Sequence, residues 1–499
     1  MSKEIALLLA DGYKHAHAEQ FPKGLTKLVS YMTPRMSRLE NSKEMVFFGL
    51  QAFCKTYLID YFNENFFNLP EDEVVKEYTR VLDVMLGKGN YGIEKVRNLH
   101  RLQRLPITIK CLPEGTLVPM QVPCLSIENT HPDFAWVVQW CESLLSCEIW
   151  KMCNHATVGY LFRQVVNKYY DLTVDNTPKS KAMSDFGFRG LSCLQEAQKA
   201  STAWLCSFAG TSCIPAIPYI EYNYNEDNTK ETFATNALST EHAVMASNFT
   251  VDGDELTFIK RLLTEIYPNA SFSMVSDTYD LYGLIDTLLP QCREEILNHN
   301  GKLLIRPDSG DICDVACTTV KKLYAQFPGE TNSKGYKTLN PKIGVVYGDG
   351  ITTYTAEKIY KRLMDEGYAA NCIVFGAGSL SFNAFVENNE LKVMTRDSFS
   401  VAIKATWGQI KTENGEKEIF IFKNPKTDQN TSTHKSFKKS QKGLCHVFKD
   451  ENGKITYTDE HYSNEKFDND LLETVFEDGK IVKEYRLKEI RDRLHNGKF

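Results

Sequence analysis

No CxxC pair occurs among the 14 cysteines of this 499-residue chain, and its two closest cysteines are Cys313 and Cys317. That scatter lacks the paired thiols of a zinc site and the framework of a disulfide-stapled fold, leaving reduced, mostly buried thiols. No apolar run reaches the ~18 residues of a membrane span. An excess of cations is missing too: 58 Lys and Arg face 64 Asp and Glu, for a net charge of −6. Such a chain has no basic field for non-specific contact with nucleic acid or anionic membrane, so neither is expected as a partner. Internal repeats and low-complexity tracts do not stand out. In the opening "MSKEIALLLADGYKH" the apolar run is too short and too soon interrupted for a signal peptide, and a cytoplasmic location is expected.

What is present is an ordinary globular composition. With 42% hydrophobic residues the chain can bury large cores, and its length suggests about two to four domains that handle small ligands. From about Lys181 to Ser381 one pattern recurs: a short apolar segment, a cluster of Asp, Gly, Arg or Ser, then a helix-like stretch. Its instances are "AMSDFGFRG", "FSMVSDTYD", "LLIRPDSGD", "IGVVYGDGI" and "CIVFGAGSL". Between them, "DVACTTVKKLYAQF" and "TAEKIYKRLMDEGY" space apolar residues by three and four, as amphipathic helices do. Strand alternating with helix predicts a parallel sheet, and five such units favour a (β/α) barrel-like domain with the polar clusters on one rim. Any one cluster reads equally well as a turn.

The flanks read differently. "VFKDENGKITY" and "TVFEDGKIVKEY" are hairpin signals in which Asn452-Gly453 and Asp478-Gly479 suit two-residue primed turns. Between strands of this C-terminal part and ahead of both hairpins, "KNPKTDQNTSTHKSFKKSQKG" is polar and basic, expected to be a mobile loop whose lysines reach toward an anionic ligand. The N-terminal part reads as mostly helical, as in "MVFFGLQAFCKTYLIDYF" and "PDFAWVVQWCESLLSCEIW". The expected division is an N-terminal α+β part over 1–175, the barrel-like domain over 176–385, and a C-terminal part over 386–499 that completes the α+β domain. The fold class is α/β.

The stretch "KLLIRPDSGDICD" places Arg306 and Asp308 on either side of Pro307, where an apolar strand ends. In α/β proteins that edge is where ligands bind. Gly348-Asp349-Gly350 and Gly376-Ala377-Gly378-Ser379 close the last two apolar segments. Glycine there lets backbone N–H groups approach an oxyanion, and late barrel strands commonly hold phosphate. His242, taken alone, is a first-turn histidine behind Ser239 and Thr240, both good helix caps.

These residues, joined to "DGYKHAHAEQFP", "DFGFRG", "STEH", "SDTYD" and "IRPDSG", resemble the nicotinamide phosphoribosyltransferase family, from Asp11 to the "VFEDGK" hairpin. The resemblance implies transfer of a phosphoribosyl group from phosphoribosyl pyrophosphate to a pyridine nitrogen, in NAD salvage, by a homodimer with shared sites. It places Phe186 on one face of the pyridine and the partner subunit's Tyr13 on the other. It puts Arg306 near the pyridine substituent and ribose phosphate, Asp308 on ribose hydroxyls or the accompanying Mg2+, and Gly348, Asp349, Gly378 and Ser379 at ribose and phosphate. Arg35, Arg189, Arg396, Lys404 and Lys423 match its pyrophosphate cations, a task that suits bidentate arginine. His242 matches a histidine phosphorylated by ATP, an activating co-substrate, and Asp277 the carboxylate that orients it.

The sequence departs from that family twice. In "FAGTSC" Ser212 stands where the nicotinamide-using members carry an aspartate, which accepts from an amide and repels a carboxylate. Nicotinamide is the expected substrate on the chain-wide match, and a nicotinate phosphoribosyltransferase is the alternative. After Gly378, Ser379 and Leu380 replace two glycines of the family's run, and "SFNAFVENNELKVM" intervenes before Thr395-Arg396-Asp397. Two other classes are weighed. A non-enzymatic binding module has no reason to retain convergent charges, and a phosphosugar isomerase or aldolase wants a lysine or glutamate base that none of the five clusters supplies.

Overall fold

The computed structural model describes residues 4–423 and 441–497, and the lysine-rich stretch read as a loop lies, from residue 424 to 440, outside the described residues. The chain divides into two compact units. One comprises residues 1–154, 220–226 and 395–499, the other residues 155–219 and 227–394.

The first unit is built on a seven-stranded antiparallel sheet drawn from both ends of the chain. Within it Leu25–Pro34 pairs on one side with Val401–Thr412 and on the other with the central strand, Leu125–Asn129. Ile107–Cys111 and Glu473–Glu477 extend it. Val401–Thr412 and Gly415–Phe420 form its other edge. "VFFGLQAFCKTYLIDYF" turns helical at Leu50, as expected, but the N-terminal part also supplies three of the sheet's strands, which a mostly helical reading omits. Those strands alternate weakly, because both faces carry buried residues: in Ile107–Cys111 four of five positions are buried.

The two hairpin signals separate. Asp478 and Gly479 both take positive φ, 47° and 80°, between the pairs Phe476↔Ile481 and Glu477↔Lys480, a two-residue primed turn. Asn452-Gly453 is not one. The loop runs from Asp450 to Lys454, with only Gly453 at positive φ. Its shape is set by the Asp450 carboxylate, which accepts the Asn452 and Lys454 N–H groups at 2.9 and 2.8 Å.

The second unit carries seven parallel strands: β1 (Met183–Asp185), β2 (Gly210–Thr211), β3 (Leu238–Ser239), β4 (Phe272–Val275), β5 (Leu303–Arg306), β6 (Ile343–Tyr347) and β7 (Ile373–Ala377). Their order is β2-β1-β7-β6-β5-β4-β3. The two edge strands are joined through Thr235, whose N–H donates to Ala209 and whose carbonyl accepts from Thr211. The sheet therefore curls into a barrel. All five apolar segments singled out in the sequence are strands of it. Helices α1 (Leu194–Trp204), α2 (His242–Asp252), α3 (Ile312–Gln326) and α4 (Thr353–Asp365) belong to the intervening connections.

Period-two alternation decides what each strand shows the barrel interior. Leu303, Ile305, Val345, Tyr347, Phe375 and Ala377 are fully buried. Leu304, Arg306, Val346, Gly348, Val374 and Gly378, the alternate positions, line a cavity. The segment after Gly378 forms a short helix, Ser379–Asn383, and a hairpin pairing Ala384–Glu387 with Glu390–Val393. Asn388 and Asn389 at its tip both take positive φ.

Candidate active site

The cavity encloses about 690 Å³ and is lined by residues at or beyond the carboxyl ends of the strands together with the inward face of the barrel. Phe186, Arg189, Ser212, Arg306, Asp308, Gly348, Gly378 and Ser379 all border it. The barrel thus brings eight of the residues singled out in the sequence to one space.

Phe186 follows β1 and is held by its N–H donating to the Ala377 carbonyl at 2.8 Å. Its ring lies over the glycines of two neighbouring strands. A Cβ on Gly376 would fall 2.1 Å from the Phe186 ring, and one on Gly348 would fall 2.8 Å away. These glycines are needed for the close approach of a flat side chain.

Arg306 ends β5 with its guanidinium spread across the end of β3: Nη1 donates to Ser239 Oγ at 2.7 Å and Nη2 to the Thr240 carbonyl at 2.8 Å. Its Nε is buried without a hydrogen-bond partner, and burial lowers its pKa without threatening its charge. Ser239 and Thr240 do not cap α2. Glu241 occupies that position without a side-chain bond, because the Ser239 hydroxyl is taken by Arg306 and Thr240 Oγ1 accepts the Val275 N–H at 3.0 Å.

His242 opens α2, half exposed. Its Nδ1 lies 3.2 Å from Thr278 Oγ1, and its Nε2 is 3.9 Å from Asp277 Oδ1 and 3.8 Å from Asp308 Oδ2. The hydrogen-bonded partner of the ring is Thr278, and the two carboxylates flank the other nitrogen at ion-pair distance. Asp277 uses its Oδ2 to hold the next strand's loop, accepting from the Asp308 N–H at 2.8 Å and the Ser309 hydroxyl at 2.5 Å. Its Oδ1 is buried and accepts no hydrogen bond. Asp349 stands exposed beyond β6.

Tyr13, Arg35, Arg396, Lys404 and Lys423 belong to the first unit. Tyr13 is 58% exposed, its pKa raised by burial of part of the ring and by Asp11 and Glu142. Glu142 takes Lys404 Nζ at 3.0 Å and the buried Lys14 at 2.6 Å. Arg35 donates Nε to the Ser400 carbonyl at 3.2 Å, and burial followed by repulsion from Arg396 lowers its pKa. Tyr13, Lys404, Arg35 and Arg396 thus form one electrostatic neighbourhood. Lys423 is exposed.

Sequence reasoning missed Asn236, which accepts the Ser212 hydroxyl at 3.3 Å and lines the cavity, and Thr278, Lys181 and Asp185. Asp185 and Thr278 were inside quoted motifs. Asn236 sits in a connection with no apolar run to mark it.

A parallel barrel with an aromatic wall, an inward arginine and glycine loops at the last strand ends defines a class of enzyme that handles a flat ring beside phosphate. The chain belongs to the nicotinate phosphoribosyltransferase (NAPRTase) family, whose model matches residues 181–452. Residues 5–70 match the nicotinamide phosphoribosyltransferase N-terminal domain. The chain is 35% identical to a nicotinamide phosphoribosyltransferase of Acinetobacter baylyi, over 97% of this chain and 96% of that one. It is 30% identical to the nicotinamide phosphoribosyltransferase of Mycoplasma pneumoniae, over 75% and 85%. Two crystal structures share the fold at 15% identity: a nicotinate-nucleotide pyrophosphorylase from Pyrococcus furiosus, TM-score 0.58 over 99% of this chain and 96% of that one, and human nicotinic acid phosphoribosyltransferase, TM-score 0.54 over 97% and 93%.

Proposed function

We propose that the protein transfers the phosphoribosyl group of phosphoribosyl pyrophosphate to the ring nitrogen of nicotinamide, yielding nicotinamide mononucleotide and pyrophosphate in NAD salvage. The observation that carries this reading is the convergence of Phe186, Arg306 and the two glycine loops on one barrel cavity, in a chain aligned end to end with proteins named for that activity.

The chemistry matches what the residues offer. The pyridine nitrogen lone pair forms the new bond to the ribose C1 as the bond to pyrophosphate breaks, and pyrophosphate leaves with the electron pair. The nitrogen has no proton to lose, so the step needs no general base. It needs a flat weak nucleophile held in line and neutralisation of the departing charge. Phe186 supplies a flat wall, and Arg306 aims a forked cation at the substituent and ribose phosphate, such charge-assisted bonds being worth about 1.5–3 kcal/mol each. Arg189 serves pyrophosphate from the same cavity. Arg35, Arg396, Lys404 and Lys423 serve it in an assembled homodimer, with Tyr13 of the partner subunit closing the ring's second face.

Magnesium fits as the companion of pyrophosphate rather than as a resident ion. Among the described residues no three or more His, Cys, Asp or Glu side chains are placed to hold a metal. Asp308 and the unpartnered Oδ1 of Asp277 are carboxylate oxygens that would complete a shell begun by phosphate oxygens. When bound, the ion supplies positive charge to the leaving group. ATP is proposed as an activating co-substrate that phosphorylates His242, whose exposed ring is steadied by Thr278.

One observation favours nicotinate as a second substrate: of the described residues lining the cavity, Asp308 is the only carboxylate, and Ser212 has the neutral Asn236 beside it. The test is product analysis. Nicotinamide and phosphoribosyl pyrophosphate with Mg2+ should give mononucleotide and pyrophosphate in equal amounts, and no product from either base contradicts the reading. With labelled ATP, acid-labile phosphate should appear on the protein and vanish in His242→Ala.

A further inference from the structure

Behind the cavity, and not lining it, lies a carboxylate that no cation among the described residues neutralises. Asp185 ends β1 at 1% exposure. Its Oδ2 accepts the Ser201 hydroxyl from α1 at 2.5 Å and the Thr211 hydroxyl from β2 at 2.8 Å, and its Oδ1 accepts the Gly187 N–H at 2.7 Å. Its backbone carbonyl accepts the Ser212 N–H at 2.9 Å, while Thr211 Oγ1 in turn accepts the Cys213 N–H at 3.0 Å. Burial raises its pKa, and the three donors oppose that rise.

An acid buried without a cation is expensive, and a neutral side chain would pack as well. What an ionised carboxylate alone provides here is simultaneous acceptance from three donors on three elements. Two of those elements carry the residues facing the ring. Phe186 sits between Asp185 and Gly187, so the Gly187 bond fixes the turn that aims its ring over Gly348 and Gly376. Ser212 sits between Thr211 and Cys213, so the Asp185–Thr211–Cys213 chain fixes the other wall.

We propose that Asp185 is a positioning residue for the pyridine substrate: it ties the Phe186 turn to the Ser212 segment and so sets the gap the ring enters. This rests on the base-binding reading above. It assigns Asp185 no contact with substrate; of the cations proposed for phosphoribosyl pyrophosphate only Arg189 follows the turn that Asp185 holds, and none lies on the Thr211–Cys213 segment that the test perturbs.

The experiment measures KM for each substrate, kcat and the thermal midpoint in Thr211→Val, Asp185→Asn, Thr211→Ser and Phe186→Ala. Thr211→Val keeps the side-chain shape and removes the hydroxyl, so it folds even where Asp185→Asn does not. The expected result is a roughly tenfold rise in KM for nicotinamide in Thr211→Val, the equivalent of about 1.4 kcal/mol. KM for phosphoribosyl pyrophosphate should stay within about twofold, and Thr211→Ser should restore the parent value. A lower midpoint with both KM values moving together, or with neither moving, overturns the proposal and leaves only a structural acid. Phe186→Ala separates the two levels of the argument. If it leaves KM for nicotinamide unchanged, the base-binding reading itself falls. If it raises that KM while Thr211→Val does not, only the role of Asp185 is lost.

Discussion

On the proposed function, Ser212 is the residue expected to set how sharply the site tells an amide from a carboxylate. Its hydroxyl donates to the Asn236 amide oxygen, so this wall of the cavity carries no negative charge at position 212. Ser212→Asp should therefore raise the nicotinamide-to-nicotinate ratio of kcat/KM by about tenfold or more, the effect of placing a like charge near the carboxylate. Equal ratios in both proteins would remove Ser212 from the account of selectivity. Arg306 makes a stronger demand. Arg306→Ala removes a forked cation that binds Ser239 and the Thr240 carbonyl as well as the proposed substrate, and kcat/KM should fall by roughly 10²–10³-fold. Arg306→Lys should recover little, because a point charge cannot span both partners. A loss under tenfold in the alanine variant would place Arg306 outside the chemistry.

The strand ends show where sequence was readable and where it was not. Five barrel strands announced themselves as short apolar segments closed by Gly, Asp or Arg, and each is a strand of three to five residues in the parallel sheet. The remaining two, β2 and β3, are two residues long, Gly210–Thr211 and Leu238–Ser239, and no hydrophobic pattern fits in that length. They are strands because neighbours present a ladder to them. That is tertiary context, absent from local sequence. The same reason hid Asn236 and the role of Ser239, which reads as a helix cap until Arg306 arrives from 67 residues away. Gly376 in β7 is the converse, a residue type whose purpose was legible only in kind. Glycine suggested close approach, and the structure shows that what approaches is the Phe186 ring. Gly376→Ala should displace that ring, lowering stability by about 1–3 kcal/mol and raising KM for nicotinamide by more than for phosphoribosyl pyrophosphate. A variant with unaltered KM values would detach the ring from base binding.

Stability of the whole chain should carry a signature from His15 in the first unit. Burial lowers its pKa from 6.5 to about 4, with Nδ1 at 2.9 Å from Tyr78 Oη. Between those values the unfolded chain binds the proton that the folded chain refuses. The neutral ring's contribution is thus complete above about pH 6.5 and is lost as pH falls toward 4, by up to ~3 kcal/mol. Urea unfolding at pH 7 and pH 5 should show the loss, and His15→Phe, which cannot titrate, should flatten it. An unchanged pH slope in that variant would assign the acid sensitivity elsewhere. Assembly offers a second check. With Tyr13 58% exposed and proposed to complete a partner's site, dilution that separates subunits should abolish activity. A fully active monomer would contradict the shared site.

The most direct test of the account is kcat/KM for nicotinamide and nicotinate measured side by side with phosphoribosyl pyrophosphate and Mg2+. The account predicts turnover of nicotinamide to its mononucleotide, with a preference over nicotinate that Ser212→Asp sharpens. Turnover of neither base by the folded protein would contradict it.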